Sequence, residues 1–552
     1  MGLTLFEEDL ATSASTGRQL DATNGGDIDV SGGARWGPER TLRAGVIEDL
    51  ISGGRPVHRS GLHVRGARIL GTVDVSSARS IHPVSLVECY FDDPILAEGV
   101  ELTWFSLNGS RVPVLHMERA KISRSIHLDG VRADGLWLTG ATIGGQLTCV
   151  GAKISGRPSG DALSADGATV GDSILLDSFC ATGRVRLSGT HVGGQLSCKR
   201  AVLTGAGDVA LSADGSVVKG DVFFDEAEVS GEIRLFGADI GGELSGRGAT
   251  MRRTDTDVFT AEEARIKGAV LFDKVLAATG RVSFRGASMD ELLWSFEHFT
   301  GVLDLEGTTV NRLRDDWKAV PAPRRRALKG LGDHGKAPPE PAGGALLNGF
   351  RYGAFERGAD DSVAARLAWI RFAPGYAAEP YTQLAAVYRR AGHQERARDV
   401  LIARETDARK RAPMTRWPRL KSVFLGATIA HGYKPGRAVL AVVVLVVALT
   451  ALLGSRSGRQ AMVATMLPTD RSAQNLPAAP TGVTCPRDYP CFDPLIYSAE
   501  TVLPLVRLGQ TEYWRPADAR SRYQWFVWTA TALGWLFATL AVAGLSGLIR
   551  DD

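Results

Sequence analysis

The sequence predicts a mainly β chain: a rod of stacked β-coils, then an α-helical hairpin cap, then two transmembrane helices. Three observations predict it. The first is a long internal rhyme. Residues 162–177 read ALSADGATVGDSILLD, and residues 210–225 read ALSADGSVVKGDVFFD. Asp166 answers Asp214 and Asp177 answers Asp225, each 48 positions on. GGQL at 193–196 returns as GGEL at 241–244, an earlier GGQL stands at 144–147, and a fainter copy, VFTAEEARIKGAVLFD, fills 258–273. A fixed period of this length marks a stacked repeat protein. The second observation is that apolar bursts within a period are short and bounded by Gly, Asp, Ser or Ala, which suits strands and not helices. The third is a pair of uninterrupted apolar runs towards the C-terminus.

Residues 1–59 form an N-terminal segment with a short helix, expected as a cap. Residues 1–25 carry no basic stretch followed by an apolar run, so no cleaved signal peptide is expected. Residues 60–312 hold the repeats. One coil cannot bury its own inward side chains; the next must stack on it at about 4.8 Å. Each 48-residue period is expected to hold two coils of roughly 20–27 residues, from strands bounded by turns. Glycine supplies φ > 0 at corners such as Gly140, Gly167 and Gly237. Cys149 and Cys198 occupy matching offsets. Two coils apart they would be about 9–10 Å distant, beyond the reach of a disulfide, so they read as small buried apolar residues. His127 and His191 have no ligand spacing around them and read as surface or satisfied core histidines. With fragments such as Ala213-Asp214-Gly215, the region resembles pentapeptide-repeat and related right-handed β-solenoid proteins. That resemblance implies a right-handed coil and names no binding target.

Residues 313–346 are rich in Pro, Gly and charge and read as a linker. Gly330, Gly332 and Gly335 spell G-x-G-x-x-G, and with Lys336 most of a phosphate loop. Each motif needs a strand before it and a helix after it. Here no apolar strand precedes, Pro338-Pro339 bar the helix, and Ala337 stands where a hydroxyl would hold magnesium. Residues 347–411 read as a helical cap. Leu384, Val387 and Tyr388, then Ala397, Val400 and Leu401, follow a 3.6-residue stripe on two helices broken at Gly392. The pair resembles one tetratricopeptide-type hairpin. A single such unit is not stable alone, so it is expected to cover the edge of the last coil; a peptide-docking hairpin is the alternative.

Residues 412–437 are a basic juxtamembrane segment, with LKSVFLGATIA at 420–430 suited to the bilayer interface. Residues 438–454 contain no charge and span about 25 Å, a first transmembrane helix. Residues 525–549 are the second, with Trp525, Trp528 and Trp535 as interfacial anchors and Ala541, Ala543, Gly544 and Gly547 as a small-residue face. Arg416, Arg419, Lys421, Lys434 and Arg437 outnumber Arg456, Arg459 and Arg471 across the first span, which favours the N-terminus inside. Residues 455–524 then form an exterior loop, where Cys485 and Cys491 are a candidate disulfide. Within it, 493–516 (DPLIYSAETVLPLVRLGQTEYWRP) resembles the pore helix and filter of two-span ion channels. Tyr497, Thr501, Arg507, Gly509 and Gln510 are its candidate residues. A potassium filter needs the carbonyls of a T-V-G-Y-G run; here Val506-Arg507-Leu508-Gly509-Gln510 stands instead, and Arg507 would repel cations.

The chain has 64 basic and 61 acidic residues for a net charge of +3, which argues against nucleic acid as a partner. Its six cysteines include no C-x-x-C pair. No dinucleotide fingerprint, haem-attachment motif or metal-ligand spacing is present, so no cofactor, metal or catalytic residue is expected. The layout as a whole resembles a family of bacterial membrane proteins. GARI at 66–69, IGGQL at 143–147, the hairpin at 381–403 and the tail PLIYSAETVLPLVRLGQTEYW with GWLFATLAVAGLSGLIR carry the likeness. Its members are often labelled membrane-associated oxidoreductases, a label no motif here supports. The resemblance implies a two-pass bacterial membrane protein; the basic residues before the first span, the absent signal peptide and the candidate disulfide place both termini in the cytoplasm, at the inner membrane. The expected role is a lipid-anchored scaffold for a cytoplasmic protein partner. The alternatives are a pore made by homo-oligomerisation through the transmembrane helices, and the oxidoreductase of the family label.

Overall fold

The computed structural model describes residues 2–23, 25–26, 28–156, 160–275, 277–296, 301–315, 344–373, 375–411, 436–465, 481–483, 490–503, 505–517 and 522–545. The chain divides into two compact units, 1–393 and 394–552. The first is a parallel β-solenoid of about 11 turns. Its strands lie in two parallel ladders, each strand pairing with its equivalent one coil on.

The register explains the rhyme. Leu147 pairs with Ile174, Ile174 with Leu196, Leu196 with Val222 and Val222 with Leu244, so steps of 27, 22, 26 and 22 alternate. A long coil and a short coil together make the 48-residue period, as the two-coil reading expects. The extra residues of the long coils sit at register shifts, between Thr204 and Val209 and between Arg252 and Asp257. From Val84 to Leu147 the steps are uniform: Val84 pairs with Phe105, Phe105 with Ile126 and Ile126 with Leu147, 21 each time. The long rhyme therefore begins only where coil lengths start to alternate.

The rhyming aspartates fasten coil to coil. Asp166 accepts the amide of Ser188 at 2.9 Å and Asp214 that of Phe236 at 3.1 Å. Asp177 and Asp225 accept the amides of Lys199 and Arg247, both at 3.0 Å. Glycine serves two different ends. Gly140, Gly167 and Gly237 have φ of 66°, 64° and 63°, the left-handed corners expected. The Gly-Gly corner instead answers to close approach: a Cβ on Gly193 would lie 2.0 Å from the Gly171 carbonyl oxygen, and one on Gly241 2.1 Å from that of Lys219. Inside, the rod is filled. Phe224, Phe259, Phe272 and Phe284 are all fully buried, with ring centroids 4.9 to 6.5 Å apart. Cys149 and Cys198 are free and buried in the same core.

The rod is longer at both ends than the sequence suggests. Leu20–Asp21 pairs with Val64 and Arg65, and Thr41–Arg43 with Arg68–Leu70, so the first coil starts well before residue 60. Two helices accompany it, α1 (Leu5–Thr16) and α2 (Ala44–Ile51). Thr4 and Glu7 form a capping box at the start of α1. Glu7 also turns its carboxylate to the Arg43 guanidinium at 2.5 and 2.7 Å. At the other end, Gly344–Leu346 pairs with Val302–Asp304, and residues of Arg351–Phe355 with Thr309–Asp315. The predicted linker is thus an insertion within the final coil and not the end of the rod; its G-x-G-x-x-G stretch lies outside the described residues.

Two helices, α3 (Val363–Arg371) and α4 (Glu379–Arg390), then cover that last coil. Arg366 of α3 grips Asp315 through two bonds of 2.6 Å, and both side chains are fully buried. Its guanidinium stacks on Phe355 at 4.3 Å. Trp369 meets Phe350 edge-on at 5.8 Å, and Gln383 of α4 donates to the Tyr352 carbonyl at 2.7 Å.

The second unit holds α5 (Gln394–Arg411), α6 (Gly436–Gly454), α7 (Arg456–Gln460), α8 (Pro494–Val502), α9 (Gln510–Tyr513) and α10 (Arg522–Leu545). The predicted stripe residues are buried on both α4 and α5. Two helices, α6 and α10, are long and apolar enough to cross a membrane. They run antiparallel: Ala438 packs with Ala541 at one end, and Leu449 and Leu453 join Tyr523, Val527 and Ala530 at the other. The predicted interfacial stretch 420–430 lies outside the described residues.

Candidate functional site

The segment between the two long helices is the most elaborately fastened part of the second unit. It starts with a capped helix. Asp493 accepts the amides of Leu495 and Ile496 at 2.8 and 3.1 Å, and Pro494 fills the first helical position, where a missing N–H costs nothing. At Pro494, α8 begins beside the end of α6: a Cβ on Gly454 would lie 3.8 Å from the proline ring. It finishes against the other long helix. A Cβ on Gly534 would lie 2.1 Å from the carbonyl oxygen of Val502, so only glycine lets α8 close on α10 there. Gly534 is about 18 Å along α10 from Arg522. The short helix therefore descends from the level of the α6 end to the middle of α10.

The chain then turns back. Val506 N–H bonds to the Leu503 carbonyl at 3.2 Å. Gly509 takes φ +82°, the left-handed conformation that glycine enters without strain. The Glu500 carboxylate gathers the returning strand. It accepts the amides of Gly509, Gln510 and Thr511 at 3.3, 2.7 and 3.1 Å, and the Thr511 hydroxyl at 2.8 Å. Gln510 closes the neck: its side chain accepts from the Asp493 amide at 3.2 Å and donates to the Cys491 carbonyl at 3.1 Å. Above it, Met462–Ala464 pairs antiparallel with Trp514–Pro516, and the Trp514 indole donates to the Pro490 carbonyl at 3.0 Å.

The five predicted residues divide by role. Tyr497 is buried against Phe492, ring centroids 5.6 Å apart, and Thr501 donates its hydroxyl to the Tyr497 carbonyl at 2.7 Å. With Gly509 and Gln510 they hold the hairpin together. Arg507 alone of the five is exposed, beside Leu505, which is 92 % exposed, and the exposed Leu508. Cys491 is disulfide-bonded; Cys485 lies outside the described residues. Sequence reading missed Glu500 and Gly534. A lone carboxylate in the apolar run LIYSAETVLPLV was the available signal for the first, since an ionisable group in such a stretch needs a partner. Gly534 carried no signal that set it apart from the other small residues of α10. Two hydroxyls in this unit, Thr450 on α6 and Ser498 on α8, are buried and find no hydrogen-bond partner among the described residues.

On the solenoid, an open groove of about 510 Å³ runs along the corner column, lined by Glu262, Glu263, Arg285, Glu306 and Asn348 among others. Among the described residues no three His, Cys, Asp or Glu side chains converge as a metal site. Burial pushes the Cys89 thiol up to about 12 and raises Cys149 and Cys198 as well, so these sulfurs stay protonated at neutral pH. His127 meets the Thr148 hydroxyl at 3.2 Å, and His191 is exposed. No protein-family model and no curated protein matches the chain.

Proposed function

We propose that this protein is a membrane-anchored scaffold: the rod offers an outer face to a protein partner, and the two long helices hold it at a lipid bilayer. One observation carries the reading. The interior of the rod is filled with apolar side chains along its length, so its chemistry is confined to the outer faces. There the repeating polar groups bond from coil to coil, as Asp166 does to the Ser188 amide and Asp214 to that of Phe236. What is left to the surface is a set of regular ridges, the usual recognition surface of stacked-repeat proteins. The basic residues before α6 support a cytoplasmic rod, and the likeness of the tail to the bacterial family supports an inner-membrane location.

A photo-reactive residue placed at Arg285, in the groove, and another at Arg200, at a left-handed corner (φ 54°) away from the groove lining, test this in intact membranes. The scaffold reading expects saturable cross-linking to one protein from one of the two positions. Equal, unsaturable labelling from both would overturn it.

A further inference from the structure

We propose that copies of this chain assemble in the membrane around a water-filled space, with residues 505–508 of each copy facing that water. The inference goes beyond the scaffold reading and rests on different residues. It starts from depth. If α6 and α10 cross a bilayer, the end of α8 at Gly534 lies near the middle of the hydrocarbon, because Gly534 stands half-way along α10. The segment that follows is not helical. Irregular backbone at that depth is tolerated only where protein covers it or water reaches it, since each unsatisfied peptide group facing lipid costs several kcal/mol. Among the described residues nothing covers it. Leu505 is 92 % exposed, and Val506, Arg507 and Leu508 are exposed with it.

Arg507 decides between protein and water. A guanidinium inside hydrocarbon costs at least about 2.5–3.5 kcal/mol. Tip-to-tip packing of two copies would bring two like charges together in a dry contact. An aqueous space between copies removes both costs, with the exposed stretch 505–508 at its edge. Closed rings of identical subunits are the usual way to build such a space without another protein. The unpartnered hydroxyls of Thr450 and Ser498 agree with water within the unit. A ring of Arg507 side chains makes the space favourable to anions and hostile to cations.

The test is spin-label accessibility in liposomes with the full-length chain. Leu505→Cys and, separately, Leu508→Cys are made in a Cys180→Ser background, because Cys180 is free and half-exposed while Cys89, Cys149 and Cys198 are buried. Val443→Cys on the exposed face of α6 is the lipid-facing control. The proposal expects a neutral water-soluble nickel chelate to reach the 505 label several-fold more than the control. It expects spin–spin broadening that disappears on dilution with unlabelled chain. It also expects an anionic relaxant to be favoured over a cationic one, with Arg507→Gln lowering that ratio. A label reached by oxygen alone would place the loop in lipid, and one reached by neither reagent would place it under its own chain; either result overturns the proposal.

Discussion

Gly193 in the solenoid and Gly534 in the second unit do the same steric work. Each stands where a Cβ would fall 2.0 or 2.1 Å from a carbonyl oxygen of the neighbouring element. The difference is repetition. The contact at Gly193 has equivalents at Gly144, Gly171 and Gly241, whereas Gly534 receives the end of α8 in one place. A stacked rod is approximately a sum of like interfaces, so a local fault is shared with its neighbours. Among the described residues, the hairpin of the second unit has no second copy of its fastenings. The same holds for the two ends of the rod. Glu7–Arg43 and Arg366–Asp315 have no equivalents among the described residues, because the terminal coils lack a stacked neighbour on one side. The comparison teaches where to look for large single-residue effects: at the ends and in the hairpin, and not along the repeats.

The sharpest test is at the C-terminal cap. Arg366→Leu removes two bonds of 2.6 Å from the buried Asp315 carboxylate, and breaking such a pair costs about 3–5 kcal/mol. Replacing both by leucine should recover most of that, because neither charge is then stranded. Thermal unfolding of the three proteins in detergent checks it. A single variant within about 1 kcal/mol of the parent would show that the end contact is as forgiving as a surface pair.

The glycine pair comes next. Gly193→Ala should cost about 2 kcal/mol, in the range of overpacked sites, and lower the melting of the rod by a few degrees. Gly534→Ala should leave that melting unchanged and raise amide exchange in α8 about tenfold, the mark of local opening. If both variants acted on one common transition, the contrast between a repeated and an unrepeated contact would fail.

The N-terminal cap gives a pH-dependent version. Hydrogen bonds from the Arg43 guanidinium hold the Glu7 carboxyl down to about 2, against an ordinary 4.5. A depressed carboxyl contributes stability that is complete above its unfolded value and lost as pH falls through the folded one. So the α1 contact should weaken from about pH 4.5 and be gone near pH 2. The shift alone corresponds to roughly 3 kcal/mol; solvent screening at Arg43, whose side chain is 38 % exposed, reduces that to about 2. Glu7→Gln should remove the pH dependence of exchange in α1 while leaving the central coils as they were.

How much of this was legible depended on repetition too. The rod could be read because its period recurs: Asp166 and Asp214, or the Gly-Gly corners, announce themselves by coming back. Its ends could not, since residues 20–21, 41–43 and 344–346 are strands of two or three residues outside the repeating motif, and the first and last of them pair across 44 and 42 positions. The corner glycines were assigned one cause, positive φ, where the structure shows two. In the hairpin, Tyr497, Thr501, Gly509 and Gln510 were found by a likeness in order along the chain. Glu500 is harder to read, because it collects the backbone amides of Gly509 to Thr511, and its one side-chain partner there is a threonine hydroxyl eleven positions on.

The smallest effect tests the repeats themselves. Arg119 sits in the left-handed region at φ 55°, in the same corner column as Gly140 at 66°. The amide of each bonds to the next coil at 2.9 Å, Arg119 to Thr139 and Gly140 to Asp166. A non-glycine residue there carries a steric cost of about 1–2 kcal/mol. Glycine removes it but gives back about 0.5–1 kcal/mol in unfolded-chain entropy. The exposed contact of Arg119 with Glu98 adds little. Arg119→Gly should therefore stabilise the rod by less than about 1 kcal/mol, and Gly140→Ala should destabilise it by a similar amount, through the same two costs with signs reversed. Chemical denaturation of both variants measures the sum and the asymmetry. If Gly140→Ala proved as damaging as Arg366→Leu, the corners would not be interchangeable, and the rod would depend on individual positions as the cap does.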